Sequence, residues 1–289
     1  MLEQYNDPSV VSNYFQNKRS SLDILEFQCV IRRAIEKFHS NLPIVKALDV
    51  GCGEGSLGKY LLNEDIVASM VGVDGSQKVI ELANRMKNDD NRLQYHNENA
   101  INLSKLLTLD EKFRLVVSVN MLNHAENIEM LYSMVKNIFN QCSGYFIGII
   151  PNPFFDFQEN DENKSVKYGN KKIGKKHPLK DGDDIYVIVG SGTDHAVELK
   201  DHWYSASSYE SVFIKAGFES FQWLQFEELA SDEEKQHFSD YFTNPPHIAF
   251  SAVIRKEGHF IAIMNTFLSA FLFYFSFCDH FNFKLKRRE

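Results

Sequence analysis

The spacing of apolar residues changes along the chain. Over residues 8–39, Val11, Tyr14 and Phe15, then Ile24, Phe27, Ile31, Ala34, Ile35 and Phe38, recur at helical intervals and predict two N-terminal helices. From residue 45, short apolar runs at 45–50, 69–73, 93–96, 115–119 and 144–150 alternate with helical patterns near 56–63, 76–87 and 126–140. This alternation predicts a parallel sheet with helices on both faces, and a ligand seated beyond the carboxyl ends of the strands. After Ile150 the pattern breaks. Residues 158–184 are polar and read as an insertion, followed by a hairpin of Ile185–Val189 and Ala196–Leu199 around Gly190-Ser191-Gly192. Ser207-Ser208-Tyr209-Glu210 reads as a capping box opening a helix closed by Gly217, and residues 218–224 and 247–256 as closing strands.

Chemistry concentrates in Val45-Lys-Ala-Leu-Asp-Val-Gly-Cys-Gly-Glu-Gly-Ser-Leu-Gly58, an apolar run that turns through alternating glycines into a helix. Gly51, Gly53 and Gly55 allow a sharp turn and close backbone approach, and the following helix N-terminus faces the ligand. Three nucleotides compete. Gly53–Lys59 fits G-x-x-x-x-G-K, but Tyr60 replaces the magnesium-binding hydroxyl. Gly53–Gly58 fits G-x-G-x-x-G, with Asp74 after a second strand, as in dinucleotide sites. Both place Glu54 beside phosphates. The third, S-adenosylmethionine, carries a sulfonium and an ammonium, so Asp49 and Glu54 favour it.

Leu48-Asp-Val-Gly-Cys-Gly-Glu-Gly55 followed by Val71-Gly-Val-Asp-Gly-Ser76 resembles the first two motifs of class I S-adenosylmethionine-dependent methyltransferases. The resemblance implies a Rossmann-like α/β fold with a mostly parallel seven-stranded sheet. It implies cofactor binding by Asp49, Gly51, Cys52, Gly53, Gly55, Asp74, Gly75, Ser76, Asn99, Ala100 and Asn120, with the glycines supporting the methionine moiety and Asp74 taking the ribose hydroxyls. A carboxylate accepts two hydrogen bonds from a diol. Asn99-Ala100 stands where the family usually has an acid and a small residue; the Asn carbonyl still accepts from an adenine amino group. Asn152-Pro153, Tyr168-Gly169, Pro178–Gly182, Tyr204-Ser205 and Pro245-Pro246 are similar to the toxoflavin synthase-like branch, which implies a small-molecule acceptor; Asn123-His124-Ala125 departs from that branch's Asn-Tyr-Ala. Methyl transfer is an in-line displacement that draws mainly on positioning. Where a base is required, His124 is the candidate, against a packing or capping histidine. An NAD-dependent oxidoreductase and a catalytically silent cofactor-binding regulator remain alternatives.

Composition sets outer bounds. The 289 residues are 44% hydrophobic and 24% charged with a formal net charge of −8, an ordinary globular chain in which a polyanionic partner is not the default, so nucleic acid is not expected. Cys29, Cys52, Cys142 and Cys278 form no C-x-x-C pair and the histidines no compact ligand spacing, so a cytoplasmic protein without a metal is expected. Cys52 reads as a small loop residue. Lys164, Lys167, Lys171, Lys172, Lys175, Lys176 and Lys180 read as an anion-attracting or merely solvated loop, and Trp203 and Tyr204 as a substrate wall or core filling. The expected organisation is an N-terminal helical cap (1–44), a methyltransferase domain (45–256, insertion 153–202) and a hydrophobic tail (257–289). Phe260–Cys278 holds 19 uncharged residues, and eight phenylalanines run from Phe260 to Phe283 before Lys284, Lys286, Arg287 and Arg288. A spanning helix, an interfacial helix and a helix docked on this domain or a partner subunit are all open readings.

Overall fold

The computed structural model describes residues 5, 7–17, 24–39, 41–105, 112–158, 162–174 and 178–254. A seven-stranded sheet has the order β3-β2-β1-β4-β5-β10-β9, built from β1 (Ala47–Val50), β2 (Met70–Asp74), β3 (Leu93–Asn97), β4 (Phe113–Val119), β5 (Cys142–Pro151), β9 (Ser220–Leu224) and β10 (His247–Val253). The first five pair in parallel, and β10 runs antiparallel between β5 and β9. The strand order reverses between β1 and β4, where a crevice opens at the carboxyl edge. β1 is shorter than the apolar run suggested, because Val45 is 79% exposed.

Both sheet faces are covered, so strand residues alternate between two apolar layers. Ala47, Leu115 and Val117 pack into the layer that holds Leu25, Ile31 and Ile35 of the N-terminal helical segment. Leu48, Val50 and Val116 pack into the other, with Leu131, Val135 and Phe213. Helices α1 (Pro8–Asn17), α2 (Arg33–Phe38), α3 (Ser56–Asn63), α4 (Gln77–Met86) and α5 (Ile128–Gln141) follow the predicted pattern. Between α1 and α2, Ile24–Arg32 is a π-helix, a form that recurs at functional sites.

The stretch 158–184 is not merely a polar loop. It contains helix α6 (Glu162–Tyr168) and strand β6 (Asn170–Ile173), which joins β7 (Asp183–Val189) and β8 (Val197–Trp203) in an antiparallel three-stranded sheet. Polar composition hid these elements, because their polar side chains find partners within the fold. Lys164 donates to Thr243 Oγ1 (2.6 Å), Lys167 pairs with Asp240 (2.8 Å), and Lys172 is buried and donates to the Pro246 carbonyl. Helix α7 (Ala206–Ala216) is capped by Ser205, whose side chain accepts from the Ser208 N–H, not by Ser207; Glu210 instead accepts from Trp223 Nε1 at 2.7 Å. Three short helices, Phe226–Leu229, Asp232–His237 and Ser239–Phe242, connect β9 to β10. Among the described residues no helix is long and apolar enough to cross a membrane. The tail segment 260–278 lies outside the described residues, as do Lys175 and Lys176.

Candidate active site

The chain leaves β1 through Gly51 (φ 79°), Gly53 (φ 56°) and Gly55 (φ 83°). A Cβ at Gly51 would lie 2.6 Å from Met121 Cγ, and one at Gly55 2.1 Å from Tyr95 Oη, so both conformation and space demand glycine. The loop is tied to the end of β2. Gly51 and Cys52 N–H groups donate to the Val73 carbonyl (2.8 and 3.0 Å), and Gly53 N–H donates to Asp74 Oδ2 (3.1 Å). The other Asp74 oxygen accepts from Ser76 N–H (2.9 Å), past Gly75. Ser76 caps α4 by accepting from Val79 N–H (3.4 Å) and donates its hydroxyl to the Tyr5 carbonyl (2.9 Å). One carboxylate therefore holds both loops in register.

Asn99 and Ala100 follow β3. Asn99 Oδ1 accepts from Ile101 N–H (3.1 Å) and opens the 3-10 turn Ala100–Lys105, so part of its acceptor capacity goes to its own turn. At the end of β4, Asn120 adopts φ 51°, in the left-handed region that Asn tolerates better than other side chains, and its N–H donates to Ile149 O (2.9 Å). This turn leads into a 3-10 segment, Leu122–His124.

A cavity of about 100 Å³ opens at this edge. Asp49, Gly51, Cys52, Asn120 and His124 line it. Gly53, Gly55, Asp74, Gly75, Ser76, Asn99 and Ala100 do not line it; they build the loops beside it. Glu54 also stands apart, contrary to the expected cation-facing acid: its side chain is buried and accepts from Ser56 Oγ at 2.5 Å. Tyr204 fills the core, donating to the Ala125 carbonyl at 2.9 Å and packing on Tyr209. Cys52 and Cys142 are buried and form no disulfide among the described residues, and burial pushes the Cys142 thiol up to about 12.

The opposite wall was not singled out from the sequence. It is made by Tyr5 and Tyr14, by Glu26 and Phe27 of the π-helix, and by Asn170 and Asp201 of the three-stranded sheet, with His247 at the start of β10. Asp201 had a legible signal: strand alternation places it on the same face as Val197 and Leu199, an acid at a core-facing position. Glu26 and His247 had none, being far apart in sequence. His124 Nδ1 lies 3.3 Å from Asp201 Oδ1, and its Nε2 lies 3.4 Å from the Tyr5 hydroxyl. Across the cavity, His247 Nδ1 lies 2.7 Å from Glu26 Oε1. Burial, then nearby Lys172, holds the His247 imidazole below its ordinary range; burial pushes Lys172 down to about 7. Among the described residues no group of three or more His, Cys, Asp or Glu side chains is placed to hold a metal.

Residues 47–141 match the family described as methyltransferase domain. No curated protein matches the sequence. Solved structures match the fold. An S-adenosylmethionine-dependent methyltransferase from Clostridium acetobutylicum ATCC 824 aligns at TM-score 0.55 and 16% identity over 85% of this chain and 99% of its own. The CcbJ methyltransferase from Streptomyces caelestis aligns at 0.56 and 13%, over 87% and 98%. CalS10, an amino pentose methyltransferase from Micromonospora echinaspora with bound S-adenosylmethionine, aligns at 0.52 and 14%, over 85% and 97%. Residues 47–141 are thus similar to a methyltransferase domain, and the described chain shares the Rossmann-like fold of these solved methyltransferases.

Proposed function

We propose that this protein transfers a methyl group from S-adenosylmethionine to a nitrogen or oxygen of a small-molecule metabolite, in the manner of the toxoflavin synthase-like branch. The observation that carries this reading is a glycine-turned loop beside a cavity with a buried acid, Asp49, in its wall and, among the described residues, no Lys or Arg in its lining. Such a wall suits a sulfonium and an ammonium and repels phosphate. The close glycine turns admit backbone approach, and Asp74, whose oxygens accept from Gly53 and Ser76 N–H, is a carboxylate of the kind that accepts two hydrogen bonds from a diol. Asp49 and the loop of Gly51–Gly55 would hold the methionine end, Asp74 the ribose, and Asn99 and Asn120 the flanking polar groups. When bound, the cofactor supplies an electrophilic methyl on a positively charged sulfur.

The chain's own contribution is positioning and one proton. Asp201 lies 3.3 Å from Nδ1 of His124 without a hydrogen bond; its negative charge favours a proton on that nitrogen, which leaves Nε2 as the base. The acceptor gives its proton to Nε2 in place of the Tyr5 hydroxyl, which occupies that atom here. Tyr14 and Phe27 line the same space with their rings. The small volume of the cavity, about 100 Å³, supports a small acceptor over a macromolecule. Calorimetry with S-adenosylhomocysteine and with NADH tests the cofactor: tight binding of the first and none of the second is expected, and the reverse would overturn the reading. His124→Ala is expected to leave S-adenosylhomocysteine affinity within about twofold while lowering turnover by about 10²- to 10⁴-fold; unchanged turnover would remove His124 as the base.

A further inference from the structure

The acceptor's chemistry can be taken further from the wall that faces the glycine loop. That wall holds two carboxylates, Glu26 and Asp201, each about 6% exposed, in addition to Asp49 on the cofactor side. It also holds amide oxygens. Asn123 is 1% exposed, lines the cavity, and its Oδ1 meets no hydrogen-bond donor among the described residues; the Oδ1 of Asn170, on the same wall, is likewise without one. A buried carbonyl oxygen without a donor is costly unless a ligand brings one. Acids and amide oxygens are both acceptors. Against them the described lining sets no Lys or Arg, only the imidazoles of His124 and His247, whose Nδ1 atoms lie near carboxylates but make no hydrogen bond, so the described site is short of positive charge.

The cations nearby do not meet that need. Lys172 is buried outside the cavity lining and donates to the Pro246 carbonyl; burial outweighs the pull of Asp201 and Glu26 and holds its ammonium down to about 7, so it offsets the two acids only in part. The imidazoles of His124 and His247 each face a carboxylate through Nδ1. An acceptor carrying a carboxylate or phosphate would meet Glu26, Asp201 and Asp49 together, like charges in a low-dielectric space. An acceptor carrying an ammonium would find counter-charges and hydrogen-bond acceptors already in place.

We propose that this wall is the acceptor subsite and that it selects a cationic amine, with Glu26 and Asp201 as counter-ions and the Asn123 and Asn170 amide oxygens accepting its N–H groups. The inference rests on the methyl-transfer reading above and narrows it to nitrogen. The ammonium loses one proton to His124 Nε2; the freed lone pair forms the N–C bond as the C–S bond breaks, and that bonding pair stays on sulfur. The product is a methylated ammonium with S-adenosylhomocysteine as leaving group. Glu26 makes no bond to the reacting atoms and is a specificity residue.

Methyl-labelled S-adenosylmethionine incubated with the full-length protein and a metabolite extract of the source cells tests this. The labelled product is expected to be retained on a cation exchanger at neutral pH. With that retained fraction isolated in unlabelled form as substrate, Glu26→Gln is expected to raise the apparent KM at least tenfold, to change kcat less than threefold, and to leave S-adenosylhomocysteine affinity unchanged. Label in the anion-exchange or unretained fraction would overturn the amine assignment alone, as would an unchanged KM in the variant. Absence of any labelled product would take down the methyl-transfer reading itself. A melting curve shows whether Glu26→Gln is folded; if it is not, the charge of the wild-type product decides.

Discussion

Replacing Asp74 with alanine removes a carboxylate that performs two structural tasks before any ligand arrives. Its oxygens accept from Gly53 N–H at 3.1 Å and Ser76 N–H at 2.9 Å, and so join the glycine loop to the start of α4. Hydrogen bonds to a charged group contribute ~1.5 to 3 kcal/mol each, and solvent regains part of this where the N–H groups become accessible. The free protein is therefore expected to lose about 2 kcal/mol of stability. In the cofactor complex the same change also deletes the acceptors for a diol, costing a further ~2 to 3 kcal/mol, or about 30- to 150-fold in affinity. Asp74→Asn keeps one carbonyl oxygen and is expected to lose less on both counts. Titration calorimetry with S-adenosylhomocysteine gives the affinity, and urea denaturation of the free protein gives the stability. An Asp74→Ala protein that binds within twofold of wild type would refute the placement of the ribose, whatever its stability.

Other outcomes follow from individual contacts. Gly55→Ala forces a Cβ to 2.1 Å from Tyr95 Oη at φ 83°, and is expected to cost roughly 2 to 5 kcal/mol in denaturant melts and to abolish cofactor binding; a wild-type melt would contradict the loop geometry. Ser205→Ala should lower stability by ~1 kcal/mol and Ser207→Ala by less than about 0.5, because only Ser205 caps the helix; equal effects would overturn the cap assignment. Lys172, pushed down to about 7 by burial, binds no proton in the folded state over a window where the unfolded chain, near 10.5, still does; stability therefore rises with pH through that window and is lost as pH falls. One proton is worth about 1.36 kcal/mol per pH unit, and Lys172 is half deprotonated near pH 7, so from pH 7 to about 8.5 the melting temperature should rise by roughly 3 to 6 °C. His247, held low by burial, adds the same sign below its ordinary 6.5. Lys172→Met should flatten the rise, and an equally steep profile in the variant would discount the buried lysine.

Much of this architecture is written locally. The alternation of β and α patterns and the glycine turn after β1 depend on neighbouring residues, so the order of the first five strands and the position of Gly51–Gly55, Asp74 and Asn120 were legible. The cap of α7 was misplaced by two residues because Ser205 and Ser207 both precede apolar helical positions, and only geometry shows which hydroxyl meets an N–H. The far wall was not legible for a different reason. Glu26, Asn170, Asp201 and His247 come from a π-helix, two strands of a separate sheet and a late antiparallel strand, and no spacing in the chain announces their meeting. Polar composition also concealed β6, whose Lys172 is buried with its amine on the Pro246 carbonyl.

The origin of those wall residues has a practical corollary. Asp201 and Asn170 belong to the three-stranded sheet and Glu26 to the π-helix, whereas the nucleotide loops grow from the seven-stranded sheet. On the acceptor reading proposed above, an engineer who wishes to change what is alkylated can start by randomising these accessory segments, while Asn123 and His124 stay with the loop after β4. Part of the selectivity is then adjustable apart from donor capture.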